Sequence, residues 1–176
     1  VLEDEESQQL LLIDAAVASQ KAKTTIQDYF ERKGLSFNNI RQILLTHGHI
    51  DHIGGAGWFQ RLSNAPIAIH QADANHLANW AHRSPERWFQ ELREWGLPSS
   101  IATSLIKIGP FYQSIFQPPM YYEEFAFQRA PIPLGETLLH ILPLRGHSAG
   151  SCGFYLEDKQ VLFAGDAILE CFTPHI

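Results

Sequence analysis

The chain has 176 residues, of which 45% are hydrophobic and 11% aromatic, and its 13 basic and 19 acidic residues give a net charge of −6. This composition is too apolar for a disordered chain, and the acidic balance argues against nucleic acid as the main partner. No apolar run reaches the ~18 residues of a membrane span. Because Val1 leads directly into the acidic residues near the start, we expect no signal peptide. We therefore expect a cytoplasmic protein without a membrane segment, forming one domain over 1–176 or part of a larger one.

The first 70 residues alternate between strand-like and helix-like segments. Strands are predicted over 9–14, 40–46 and 66–70. A helix is predicted over 19–34, where Gly34 acts as the C-terminal stop. Residues 47–57 are polar and rich in glycine, and they form a predicted loop that runs into a helix near 58–62. This β-α-β order favours a sheet with helices on its face.

Residues 71–120 differ from the segments on either side. They contain three of the four tryptophans and mix helical stretches with proline breaks, which predicts a helical insertion over the sheet. Its aromatic side chains either enclose an apolar substrate group or form the core of the insertion itself. Strand patterns then return over 136–144, 153–156 and 160–164, with a hairpin turn predicted at Glu157-Asp158.

Four candidate metal ligands lie within six residues, in the run Thr46-His47-Gly48-His49-Ile50-Asp51-His52-Ile53-Gly54-Gly55. In an extended stretch, side chains two residues apart project to the same side, so His47 and His49 can point to one spot. Asp51 and His52 follow where the chain turns into a helix. Imidazole and carboxylate groups bind Zn²⁺, Mn²⁺ or Fe²⁺. The spacing suits two neighbouring ions, with His47 and His49 on one and Asp51 and His52 on the other. The glycines of this run are expected to supply backbone freedom.

Two further candidate ligands each follow a predicted strand. His147 lies in the glycine-flanked run 145–151, and Asp166 follows Gly165 directly after the last strand. A Gly-Asp pair alone is more typical of an ordinary turn. Because strand ends in layered α/β folds gather on one rim, the repeated placement predicts a shared metal cluster there.

These motifs resemble those of the metallo-β-lactamase-fold hydrolase superfamily. The resemblance rests on T-H-x-H-x-D-H-x-G-G at 46–55, G-H-S-x-G-S at 146–151, F-A-G-D at 163–166 and the L-L-I-D run ending at Asp14. It implies the α+β class and a four-layer αββα sandwich with metals at one edge of two sheets. It also implies ligand roles: a first ion on His47, His49 and His147, a second on Asp51 and His52, and a bridging carboxylate at Asp166. Asp14 would orient the histidine-bearing loop.

The bridging aspartate resembles the glyoxalase II and lactonase side of the superfamily. It implies a hydrolase with two divalent ions, zinc first and iron or manganese as alternatives. A metal-held hydroxide would cleave an ester, thioester or lactone of a small-molecule substrate. Asp51 would be the catalytic residue that orients the nucleophile and takes up a proton.

Other functions on the same fold stay open. A mononuclear iron oxidoreductase of the persulfide dioxygenase kind would use His47, His147 and Asp166. A nuclease is disfavoured by the acidic balance, and a non-catalytic metal-binding domain is the remaining alternative.

The sequence departs from the family pattern in three places. The family's first strand pair should precede Leu10, where only about nine residues are available. Asp14 is followed by Ala15-Ala16, where the family usually continues Asp-x-Gly. The family's distal histidine ligand is not evident after Asp166, and His175 is not expected to bind metal. We therefore expect the larger part of a domain cut at both ends, with a loose or empty second metal site. Cys152 and Cys171 are expected to be buried free thiols rather than ligands.

Overall fold

A computed structural model describes residues 1–4, 6–82 and 84–170, except for the side chains at 80–82. The strands in this part of the chain are β1 (Leu2–Glu3), β2 (Leu10–Ile13), β3 (Ile40–Leu44), β4 (Ile67–His70), β5 (Glu123–Phe125), β6 (Ile132–Leu134), β7 (Thr137–Pro143), β8 (Cys152–Leu156) and β9 (Val161–Phe163). The α-helices are α1 (Gln20–Lys33), α2 (Ile50–Ile53), α3 (Ala56–Ser63), α4 (Ala74–His82), α5 (Pro85–Glu94), α6 (Ser99–Lys107) and α7 (Gly109–Ser114). None of these helices is long and apolar enough to cross a membrane.

The strands form two sheets with different connections. The first sheet has the order β1-β2-β3-β4-β5, in which β1 is antiparallel to β2 and the other neighbours are parallel. The second sheet has the order β6-β7-β8-β9 and is antiparallel throughout. Parallel neighbours require crossover connections, and helices supply them between β2 and β5. The predicted α+β class is confirmed.

Helix α1 shows how local sequence sets these crossovers. The Ser19 hydroxyl accepts a hydrogen bond from the Ala22 amide at 3.2 Å, which caps the N-terminus. Gly34 ends the helix in the left-handed conformation with φ of 66°. Phe30 faces inward and is 2% exposed. The helix predicted over 19–34 is therefore confirmed with its caps.

Alternating side chains of β2 divide the interior into two cores. Leu10 and Leu12 pack among the helices, whereas Leu11 faces the second sheet, and each is at most 3% exposed. Phe154, at the centre of β8, is fully buried against the first sheet. The described residues thus form a helix layer and two stacked sheets. On the outer face of the second sheet, Leu138 is 46% exposed.

The long segment between β4 and β5 contains α4 to α7, in keeping with the helical character expected over 71–120. Its last part contacts the turn between α2 and α3: the Gln117 amide donates to the Gly54 carbonyl at 2.7 Å, and the Gly57 amide donates to the Gln117 carbonyl at 2.9 Å. This segment therefore packs directly behind the histidine-rich run.

Candidate metal centre

Five chain segments end at the same rim of the two sheets. Asp14 follows β2, the histidine-rich run follows β3, and Asp73 follows β4. From the second sheet, His147 follows β7 and Asp166 follows β9. The rim expected from the strand ends is therefore formed by both sheets together.

Three histidines converge there through their ring nitrogens. His49 Nδ1 lies 3.1 Å from His47 Nε2 and 2.8 Å from His147 Nε2. Ligands at 2.0–2.1 Å around one tetrahedral Zn²⁺ are about 3.3 Å apart, so this spacing is close to that of a metal-ligand set. His47 is 1% exposed and the other two are half-buried.

A second set adjoins the first and shares His47. The ligand atoms of His47, His52 and Asp166 all lie within 4.8 Å of one another. Asp166 Oδ1 is 3.2 Å from His52 Nε2, and its Oδ2 is 3.5 Å from His147 Nε2. The Asp166 carboxylate thus lies between the two sets, where a bridging ligand would be required.

Asp14 fixes the orientation of two of these histidines. Its carboxylate accepts hydrogen bonds from the Thr46 amide at 2.8 Å and the Thr46 hydroxyl at 2.9 Å. It also accepts from His52 Nδ1 at 2.8 Å. Since a carboxylate only accepts, Nδ1 of His52 carries a proton, and its Nε2 faces Asp166. The Thr46 hydroxyl is also 3.1 Å from His47 Nδ1, which leaves His47 Nε2 free for an ion.

Burial and charge set the protonation of the histidines. Burial, together with the neighbouring histidines, lowers the pKa of His47 to about 3. Burial, together with His147 and His76, also lowers the pKa of His49. Burial opposes protonation of His52, but the hydrogen bond and charge of Asp14, with Asp51 and Asp166, raise its pKa overall. His47 and His49 are therefore neutral at pH 7 with free lone pairs, which is the form that binds metal.

Asp51 is placed differently from the other predicted ligands. Its side chain is 64% exposed, and its Oδ2 is 3.7 Å from His52 Nε2. It belongs to neither of the two groups of mutually close ligand atoms in the described part of the chain. Asp51 therefore lies at the open side of the cluster, beside His52.

The glycines of the histidine-rich run are required for a reason other than the one expected. Gly54 and Gly55 have φ of −57° and −90°, which any residue adopts, so the expected need for backbone freedom is wrong at these positions. A Cβ at Gly54 would lie 2.5 Å from the Ile50 carbonyl and 2.7 Å from the Ile115 carbonyl. A Cβ at Gly55 would lie 2.3 Å from the Ala15 carbonyl. Close backbone packing is what excludes a side chain.

Sequence reasoning missed Asp73. The residue is 1% exposed, and its carboxylate accepts from the amides of Gly48 and Gly150 and from the Ser148 hydroxyl. A single aspartate before a helix is typical of an ordinary cap or turn. The available signal was its position directly after a strand, which it shares with Asp14 and Asp166.

Cys152 is a buried free thiol, as expected, and its Sγ lies 3.3 Å from the Thr46 carbonyl. Burial raises the pKa of this thiol far above its ordinary value, so it is not a thiolate ligand. Cys171 and His175 lie outside the described residues, as does the expectation made for each.

The chain matches a known protein family over nearly its whole length. The family model of the metallo-beta-lactamase superfamily matches residues 2–176. The probable metallo-hydrolase YflN of Bacillus subtilis is 26% identical over 93% of this chain and 57% of its own length. The acyl-coenzyme A thioesterase MBLAC2 of Homo sapiens is 28% identical over 71% of this chain and 40% of its own length. The chain thus spans about half the length of these relatives.

Solved structures share the fold. The crystal structure of a metallo-beta-lactamase family protein from Thermus thermophilus superposes with a TM-score of 0.77 at 27% identity. The match covers 94% of this chain and 53% of that protein. The two stacked sheets with their helices are therefore the arrangement of this family.

Proposed function

The chain belongs to the metallo-β-lactamase superfamily, and on that premise we propose that it is a metal-dependent hydrolase of small-molecule esters, thioesters or lactones. The observation that carries the proposal is the convergence of three histidine rings. Nε2 of His47 and Nε2 of His147 both lie within 3.1 Å of His49 Nδ1. A thioester is the first substrate class to test, because one relative is named an acyl-coenzyme A thioesterase.

The donor set fits two divalent ions. Two bound ions would supply a hydroxide nucleophile near neutral pH and polarise the substrate carbonyl. His47, His49 and His147 would hold one ion, and His52 with Asp51 would hold the other. Asp166, between His52 and His147, would contact both. Neutral imidazoles with carboxylates suit zinc, and iron or manganese to a lesser degree.

The residues around the cluster would orient its members and move the proton. Asp14 and Thr46 hold the rings of His52 and His47 with their Nε2 atoms turned toward the cluster. Asp51, exposed at the open side, is proposed to accept the proton of the attacking water. A carboxylate that reaches solvent can then release that proton, which a buried group could do only slowly.

Elemental analysis of the purified protein, followed by hydrolysis assays with an acyl-coenzyme A thioester, an aryl ester and a lactone, tests the proposal. We expect His49→Ala to lose bound metal and at least ~100-fold in turnover, because it removes a ligand of the first ion. The control is His140→Ala on β7, a histidine that pairs with Glu157 at 3.1 Å and belongs to neither group of close ligand atoms in the described chain. Iron alone in the protein, with oxygen uptake on a persulfide and no hydrolysis, would instead establish the oxidoreductase alternative.

A further inference from the structure

A buried carboxylate ties together two loops that are distant in sequence. The His49 loop (residues 45–49) follows β3, and the His147 loop (residues 144–151) follows β7. Asp73 Oδ2 accepts from the Gly48 amide at 2.9 Å and from the Ser148 hydroxyl at 2.6 Å. Asp73 Oδ1 accepts from the Gly150 amide at 2.8 Å. One side chain thus connects a loop of the first sheet with a loop of the second.

We propose that Asp73 is a positioning residue that sets the distance between the His49 loop and the His147 loop. It would thereby hold His49 and His147 at the separation that one metal ion requires, before the ion binds. The proposal rests on the proposed function, because it assigns Asp73 to the same metal centre. Asp73 itself would not contact the ion: neither group of close ligand atoms in the described chain includes it.

The bonds of Asp73 differ from those of an ordinary helix cap. An N-cap aspartate accepts from the amides of its own first helical turn. Asp73 directly precedes α4, yet the side-chain hydrogen bonds recorded for it in the described chain go to Gly48, Ser148 and Gly150 instead. Burying an ionised carboxylate is costly unless it is well hydrogen-bonded. Because the carboxylate makes these hydrogen bonds to the His49 loop and the His147 loop, it links the two loops.

The residues around this carboxylate pack closely against it and extend its hydrogen bonds. A Cβ at Gly150 would lie 2.6 Å from Asp73 Cγ, so only glycine allows the backbone to approach. The Ser148 hydroxyl is also 2.8 Å from the Ser151 hydroxyl, and Ser151 is 4% exposed. The serines of the G-H-S-x-G-S motif therefore extend the same network through the His147 loop, and need no role as nucleophiles.

Replacing the carboxylate with an amide of the same shape isolates this role. Both oxygens of Asp73 face backbone N–H groups, so in either orientation the NH₂ of Asp73→Asn would face an amide donor. The repulsion would push one loop away. Loss of a residue that orients metal ligands typically weakens metal affinity ~10- to 100-fold, and we expect an effect of that size.

The experiment compares the wild type with Asp73→Asn by chelator competition for Zn²⁺, by the visible spectrum of the Co²⁺ form, and by amide hydrogen exchange of the metal-free protein. We expect weaker Zn²⁺ binding, a changed Co²⁺ spectrum, and faster exchange at Gly48 and Gly150. Asp28→Asn, on the exposed face of α1, makes the same chemical change away from the site and should alter none of these.

Each outcome decides the proposal. Unchanged Zn²⁺ affinity and Co²⁺ spectrum, with only a lower unfolding temperature, would overturn it in favour of a purely structural role. If the wild type binds none of Zn²⁺, Mn²⁺ and Fe²⁺, the proposed function fails, and unchanged exchange at Gly48 and Gly150 would then overturn the loop-positioning role separately. If Asp73→Asn does not fold, Ser148→Ala replaces it: Zn²⁺ affinity about 10-fold weaker supports the proposal, and wild-type affinity overturns it.

Discussion

Replacing Asp14 with asparagine should change which nitrogen of His52 carries the proton. The Thr46 amide can only donate, and it donates to Asp14 Oδ1 at 2.8 Å. In Asp14→Asn the amide oxygen must therefore keep this bond, and the NH₂ must face His52 Nδ1. His52 would then accept at Nδ1 and carry its proton on Nε2, where it cannot bind an ion. Asp14 has φ of 60°, a conformation that asparagine tolerates, so the backbone should be unaffected.

The expected magnitude follows from the bonds that are lost. Hydrogen bonds to charged groups contribute about 1.5–3 kcal/mol and neutral ones about 1 kcal/mol. The side chains of His52 and Asp14 are only 15% and 20% exposed, so the metal-free protein should lose about 1–2 kcal/mol of stability. Affinity for the ion at His52 and Asp166 should fall ~10- to 100-fold, while the set of His47, His49 and His147 keeps its ion.

At a pH above the raised pKa of His52, nitrogen-15 NMR of the metal-free protein reports the His52 tautomer directly, and zinc competition reports the two affinities. Asp28→Asn is the matched control, because it converts an exposed carboxylate to an amide. Finding the proton on Nδ1 in both wild type and Asp14→Asn would refute the reasoning, as would two ions bound by the variant with wild-type affinity.

Three further predictions concern stability and turnover. Ala16→Gly should raise the stability of the protein by about 0.5–1 kcal/mol, because Ala16 has φ of 52° and a Cβ is unfavourable there; thermal unfolding measures it. The metal-free protein should lose stability as the pH falls from 6.5 toward about 3, because unfolded His47 and His49 take up protons that the folded residues, with lowered pKa values, do not; urea unfolding at several pH values measures it. Asp51→Ala should lose most turnover, because the carboxylate proposed to accept the proton of the attacking water is removed. The variant should keep its circular dichroism spectrum, since the Asp51 side chain is 64% exposed.

Each of these can be contradicted. A less stable Ala16→Gly would show that the alanine methyl group contributes more packing than strain. The raised pKa of His52 changes stability only above about pH 6.5, where its contribution is lost as the pH rises. Unfolding midpoints that do not fall below pH 6.5 would therefore mean that His47 and His49 take up protons in the folded protein as readily as in the unfolded chain. Unchanged turnover in Asp51→Ala would remove Asp51 from the mechanism, and a lost dichroism spectrum would make it structural.

The cluster was predictable because its members follow strands that are themselves clear in the sequence. The last two residues of β3, Ile43 and Leu44, and the following Leu45 are fully buried, so the apolar pattern is strong and the polar residues after it stand out. His147 and Asp166 follow β7 and β9 in the same way. The histidine-rich run, His147 and Asp166 share one rim because of the topology of the stacked sheets.

Other features have no local signal. β1 has two residues and exists because it pairs with β2. β5 begins with two exposed glutamates and is a strand because it pairs with β4 across a long segment. The acceptor role of Asp73 depends on Ser148 and Gly150, which lie 75 and 77 residues away. Such partners are fixed by tertiary structure, which short-range patterns do not encode.

The pairing of β4 with β5 has a consequence for how this protein can diverge. Ala68 lies opposite Glu123 in adjacent parallel strands, so the helical segment leaves the sheet after His70 and re-enters it at Glu123, on the next strand and two residues back along the sheet. The entropy of closing a loop grows slowly, at about 0.6 kcal/mol for each doubling of its length. Shortening or exchanging α5 to α7 would therefore alter little beyond the segment itself, provided the backbone bonds of Gln117 to Gly54 and Gly57 are kept. The histidines at the rim could stay constant while the segment between β4 and β5 changes in length and sequence. Substrate preference could then evolve independently of the metal centre.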